Sequence, residues 1–176
     1  MIAFLWGLAE ATLFFIIPDI YLGLVSVFSW RRGLWATALT VLGAMLGGAI
    51  MYGLAANNPQ PMLQLLTYVP LVNADMVSRV GEQLRAEGLA ALVTGPFQGI
   101  PYKVYAVQAG AQRLPFAAFS LLTIPARLER ILPVALVGAA AGKLFRPFIQ
   151  RQTKWVVGAY ALFWLAVYAA YAWRLR

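Results

Sequence analysis

Ile17 to Gly23 reads IPDIYLG, and how this stretch is read decides the fold. A proline and an aspartate stand side by side in the first apolar segment, where a membrane-crossing helix would be smooth and uncharged. Proline removes a backbone donor and disfavours helical geometry at the residue before it, so a helix end is predicted at Ile17. Each half of the segment 1–30 is then too short to cross a hydrocarbon core of about 30 Å. Two short helices meeting at a break suggest a re-entrant hairpin, tolerated only where protein or water covers the loosened backbone. Gly95 to Gly110, GPFQGIPYKVYAVQAG, repeats the device with Pro96, Pro101 and Lys103.

Composition points the same way. Of 176 residues, 62% are hydrophobic and only 11% charged, with a mean hydropathy of +0.73. A soluble domain carries about 25% charged residues. The surplus apolar surface is too large for one interior, so lipid is the expected solvent. The net charge of +8 comes from small basic clusters beside apolar segments, Arg31-Arg32 and Lys143 to Lys154, a pattern that fits anionic lipid. Lysines interleaved with aromatics on a polar surface are missing, so no nucleic-acid partner is expected. Cysteine and histidine are absent. Zinc, haem and iron–sulfur sites lose their usual ligands, and Ser–His and Cys–His catalysis are excluded. No metal, no cofactor and no enzymatic activity are expected.

The remaining segments follow in order. The first lacks a positive start, carries Glu10 within its apolar run and shows no cleavage pattern, so it reads as mature protein rather than a signal peptide. Arg31-Arg32-Gly33 reads as a charged turn. Residues 34–56 form a charge-free span with Gly43 and Gly47 in GxxxG spacing, which suits close helix packing. Residues 62–88 are amphipathic, with Met76, Val80 and Leu84 at helical spacing, and read as an interfacial helix pair. The second broken segment is 89–112, and 114–142 is a span kinked by Pro125 and Pro133. A basic loop leads to a last span, 155–173, with tryptophan at each end. The expectation is one all-α polytopic transmembrane domain over 1–176. It would contain two inverted repeats, each with a re-entrant broken-helix hairpin, plus spanning helices. In transporters so built, the breaks mark the binding site.

Six charges fall inside the apolar runs, and each costs roughly 2.5–3.5 kcal/mol at a bilayer centre unless paired or hydrated. Glu10 either lies near the membrane surface or faces a water-filled cavity as a proton carrier. Asp19 suits an N-cap of the half-helix starting at Ile20. Lys103 occupies the first turn of a new half-helix, where a cation is unfavourable. An anion held jointly by Lys103 and the free amides would resolve that conflict, and snorkelling to the surface is the alternative. Arg127 and Arg130 share one helix face, with Glu129 turned away. Two guanidinium groups there form a fork for phosphate or carboxylate, unless spent in a salt bridge with Glu129 or Glu10.

Two stretches carry a resemblance. WGLAEATLFFIIPDIYLGLVS followed by GAMLGGAIMYGLA, and then GPFQGIPYKVYAVQAGAQRLPFAAFSLLTIPARLER, resemble the DedA family, also called the SNARE-associated or VTT domain family. The likeness runs from about Leu5 to Gly142 and rests on the order and spacing of its motifs. It implies a bacterial inner-membrane protein with two re-entrant hairpins, associated with transbilayer lipid movement and dependence on the proton motive force. By position, Glu10 and Asp19 match the family's membrane-embedded acids, and Lys103 roughly matches a later basic residue of the second signature. Where the family often has G-R-F, this chain has Gly95-Pro96-Phe97, and Pro18 and Asp19 are adjacent where the family has a spacer.

The expected function is movement of an anionic lipid, such as a polyprenyl phosphate or a phospholipid, across the bilayer. Lys103, Arg127, Arg130, Gly95 and Gly99 would form the headgroup site. Glu10, Asp19 and Glu129 would balance charge or carry protons. The partners expected are anionic lipids and protons, with homo-oligomerisation open. The alternatives are a proton-coupled antiporter for a small ion or small molecule, and a noncatalytic membrane assembly protein that uses the 62–88 connector as its contact surface.

Overall fold

The computed structural model describes residues 1–174, and these are helical with no strand among them. Ten helices follow in order: α1 Ile2–Ala11, α2 Asp19–Phe28, α3 Trp30–Asn57, α4 Pro59–Thr67, α5 Ala74–Glu87, α6 Ala90–Thr94, α7 Tyr102–Ala111, α8 Phe116–Leu144, α9 Arg146–Arg151 and α10 Thr153–Arg174. A 3-10 turn, Gly95–Gln98, follows α6. Two helices, α3 and α10, are long and apolar enough to cross a membrane.

Both breaks exist, but the first begins earlier than Pro18 requires. α1 ends at Ala11, and Thr12 leaves the helix at φ −101°, ψ −104°. The Thr12 hydroxyl donates to the Ala9 carbonyl at 2.8 Å, and the Phe14 amide also donates to that carbonyl at 2.9 Å. The residues from Thr12 to Pro18 are therefore non-helical, and Pro18 closes the break instead of opening it. Asp19 is the first helical residue of α2 and not its N-cap. At the second break Pro101 holds an extended ψ of 137° and launches α7, while Gly99 adopts a positive φ of 73° that favours glycine.

Two other expectations are corrected. Arg31, Arg32 and Gly33 lie within the first turns of α3, not in a turn. The basic loop after α8 contains the helix α9. α8 runs from Phe116 to Leu144 as one helix, with Pro125 and Pro133 inside it.

The chain divides into two compact units, one formed by Met1–Pro18 with Ala38–Arg130 and the other by Asp19–Thr37 with Ile131–Arg176. In the first, α7 is the centre, and every residue from Tyr102 to Gly110 is buried. α1, α4 and α5 pack against it. The connector helices spend their apolar face on this contact: Met62 and Leu66 of α4, and Val77, Val80, Gly81 and Leu84 of α5, are buried. Val77 takes the inward place expected of Met76, and the apolar face expected at a membrane interface is already covered. α5 is well delimited. Asn73 accepts the Met76 amide at 2.8 Å, Asp75 and Arg85 suit the helix ends, and Gly88 stops the helix at φ 62°. The glycine pair of α3 packs on α1. A Cβ on Gly43 would overlap the Phe4 carbonyl, and one on Gly47 would lie 2.7 Å from the Leu8 carbonyl.

The second unit also packs through small residues. A Cβ on Gly138 would lie 2.7 Å from the Gly23 carbonyl, and one on Gly142 would overlap the Val27 carbonyl, so α8 and α2 approach at backbone distance. Tyr160 of α10 donates its hydroxyl proton to the Ile20 carbonyl at 3.0 Å, which ties α10 to the first turn of α2.

Candidate functional site

Three charged side chains are buried in the first unit: Glu10 at 3% exposure, Lys103 at 2% and Arg127 at 2%. They arrive from three helices. Glu10 stands one residue before the end of α1, Lys103 is the second residue of α7, and Arg127 lies mid-way along α8. Arg127 Nη2 donates to Glu10 Oε2 in a buried ion pair. The guanidinium also lies over the Tyr102 ring, 5.2 Å from its centroid, a cation–π contact. Tyr102 is itself fixed, because its hydroxyl shares a 2.9 Å hydrogen bond with Thr123. Thr123 in turn donates to the Phe119 carbonyl at 2.9 Å.

Lys103 does not snorkel outward. Its ammonium donates to the Phe14 carbonyl at 2.5 Å. The break after α1 leaves carbonyls without helical partners, and side chains supply them: Lys103 serves Phe14, and Trp6 Nε1 serves Ile16 at 3.0 Å. A cation in the first turn of α7 opposes the helix dipole, and the carbonyl of the other break offsets that conflict. The two broken segments thus meet through a charge.

The cluster is not neutral. Two cations and one carboxylate are buried, and Arg127 Nε makes no hydrogen bond. A buried guanidinium with an unused donor is costly. The same donor is suited to an anion.

No protein-family model matches the chain, and no solved structure matches it. A protein of Haemophilus influenzae described as uncharacterized is 27% identical over 139 residues, covering 77% of this chain and 70% of that protein.

The other sequence-derived positions are distributed more widely. Asp19 is buried, at 3% exposure, in the second unit. Arg130 is half-buried at the end of the first unit's share of α8. Glu129 is also half-buried, and its Oε1 makes no hydrogen bond. Gly95 faces Tyr105, whose ring a Cβ there would overlap. Gly99 supplies its positive φ. Arg127 pairs with Glu10, across 117 residues, rather than with Glu129.

Sequence reasoning missed Tyr102 and Thr123. The available signal was that Thr123 and Arg127 are four apart and share a helix face, with Tyr102 beside Lys103. A second polar set was missed entirely. Gln108 of α7 donates to the Val77 carbonyl at 2.7 Å, and Gln112, the C-cap of that helix, donates to the Gly81 carbonyl at 3.0 Å. Tyr105 donates to Gln83 at 2.9 Å. These bonds fasten α5 to the helix that carries Lys103.

Proposed function

We propose that this chain is a polytopic integral membrane protein that moves an anionic lipid across the bilayer. The observation that carries the reading is the buried cluster of Glu10, Lys103 and Arg127 at the junction of two helix breaks. It holds one more positive than negative charge, and its Arg127 Nε donor is unused. In a chain with a mean hydropathy of +0.73, a buried guanidinium with an unused donor is suited to a visiting anion whose apolar tail stays in lipid. A lipid phosphate has that form. Lys103 and Arg127 would hold the headgroup, with Arg130 on the same helix. Glu10 is the internal counter-anion when the site is empty and would carry the proton in a coupled cycle. Inverted repeats, membership of the DedA family and residence in a bacterial inner membrane belong to the same proposal. A repeat is supported by the order of helix, break, ten-residue helix and long helix that occurs twice.

The test is transbilayer movement of a fluorescent lipid phosphate in liposomes containing the purified protein, beside Lys103→Ala and Glu10→Gln. Movement in the wild type that both substitutions abolish is the expected result. No lipid movement, with proton flux under an ion gradient, would refute the lipid reading in favour of an antiporter.

A further inference from the structure

We infer that the segment from Lys143 to Trp155, with α9 at its centre, is an anchor that binds the headgroup layer of an anionic leaflet. This rests on the membrane reading but not on transport, and it concerns a segment of the second unit, to which the Glu10 cluster does not belong.

Two kinds of side chain share this short segment and conflict in any single solvent. Lys143, Arg146, Arg151 and Lys154 are all exposed. Phe145 and Phe148 are each 60% exposed and Trp155 is 76% exposed. Ile149 alone is buried within α9. The geometry has a local cause. Pro147, at the start of α9, disfavours continuation of α8, so the chain turns at Phe145 and lays a separate helix between α8 and α10. Water suits the cations but leaves three aromatic side chains unburied. A hydrocarbon core suits the aromatics but not four charges. The headgroup region takes both, with rings at the level of the acyl boundary and cations among the phosphates.

Charge decides which headgroups. No acidic residue occurs after Glu129, so the four cations have no carboxylate within their own stretch of chain. The asymmetry extends to the whole unit: by sequence it holds eight basic residues and one acidic, whereas the other unit holds six and five. A zwitterionic surface gives such a cluster little attraction. An anionic one attracts each Lys or Arg near its surface, over about a Debye length.

The test uses the full chain in bilayers of phosphatidylcholine with about 30% phosphatidylglycerol, bromine being carried on one lipid or the other. Quenching of the Trp155 component, taken as the difference from Trp155→Phe, is compared between the two brominated lipids. Stronger quenching by brominated phosphatidylglycerol, by about twofold or more, is expected. It should fall to parity in high salt and in a variant with Lys143, Arg146, Arg151 and Lys154 all changed to Gln. Equal quenching by the two lipids would overturn the anchor while leaving the membrane reading intact. No quenching of Trp155, with the other tryptophans quenched, would mean that protein covers the segment, and would overturn it as well. No quenching of any tryptophan would count against the membrane reading itself.

Discussion

Replacing Arg127 by Met, Glu10 by Gln, and both together tests whether the buried pair behaves as one unit. Both residues are almost fully buried. Arg127→Met would strand the Glu10 carboxylate beside its remaining neighbours and remove the guanidinium from the Tyr102 ring. Stranding one member of a buried ion pair costs about 3–5 kcal/mol. For a chain of this length each kcal/mol lowers the melting temperature by about 2–4 °C, so a fall of roughly 6–20 °C is expected. Glu10→Gln leaves two buried cations without a carboxylate and should cost a comparable amount. The double variant removes both charges and keeps the volume, a change that is often near neutral for buried pairs. Its loss should therefore fall short of the summed single losses, about 6–10 kcal/mol, by about 3 kcal/mol or more. The assay is reversible unfolding in a fixed detergent or lipid-disc composition, followed by tryptophan fluorescence. Additivity within about 0.5 kcal/mol would refute the reasoning, since independent sites add to that tolerance.

Three further outcomes follow from the packing. Gly43→Ala would force a methyl group into the Phe4 carbonyl and should destabilise the α1–α3 contact by about 2 kcal/mol or more. Gly53→Ala, with nothing near its Cβ position, should be neutral or stabilising by up to about 1 kcal/mol; equal effects at the two positions would count against the packing described. Gln108→Leu removes a donor to the Val77 carbonyl, at a cost of about 1 kcal/mol, and should raise hydrogen exchange across α5 but not across α2. Tyr160→Phe frees the carbonyls of Asp19 and Ile20 and should reverse that selectivity, with faster exchange in the first turn of α2, again for about 1 kcal/mol.

The sequence by itself determined that the chain is helical, that its apolar segments are interrupted twice, and where several helices begin and end. Those features are local. Pro101 fixes its own φ and starts α7, Asn73 caps α5 within three residues, and the glycine spacing of α3 repeats once per turn. The charges were conspicuous because an apolar run makes each one expensive. Partner choice was not legible. Arg127 had Glu129 two residues away and Glu10 on another helix, and only packing decides which carboxylate it meets. Lys103 could have reached outward or inward, and the Phe14 carbonyl claims it because α1 unwinds at Thr12, before the proline. The amphipathic connector carried the same ambiguity: its apolar stripe is equally compatible with a membrane surface and with a buried helix. α7 covers that stripe, using Gln108 and Gln112 on carbonyls of α5, bonds across 31 residues that no local periodicity encodes. Local chemistry set the breaks, and long-range packing set which charges they bring together.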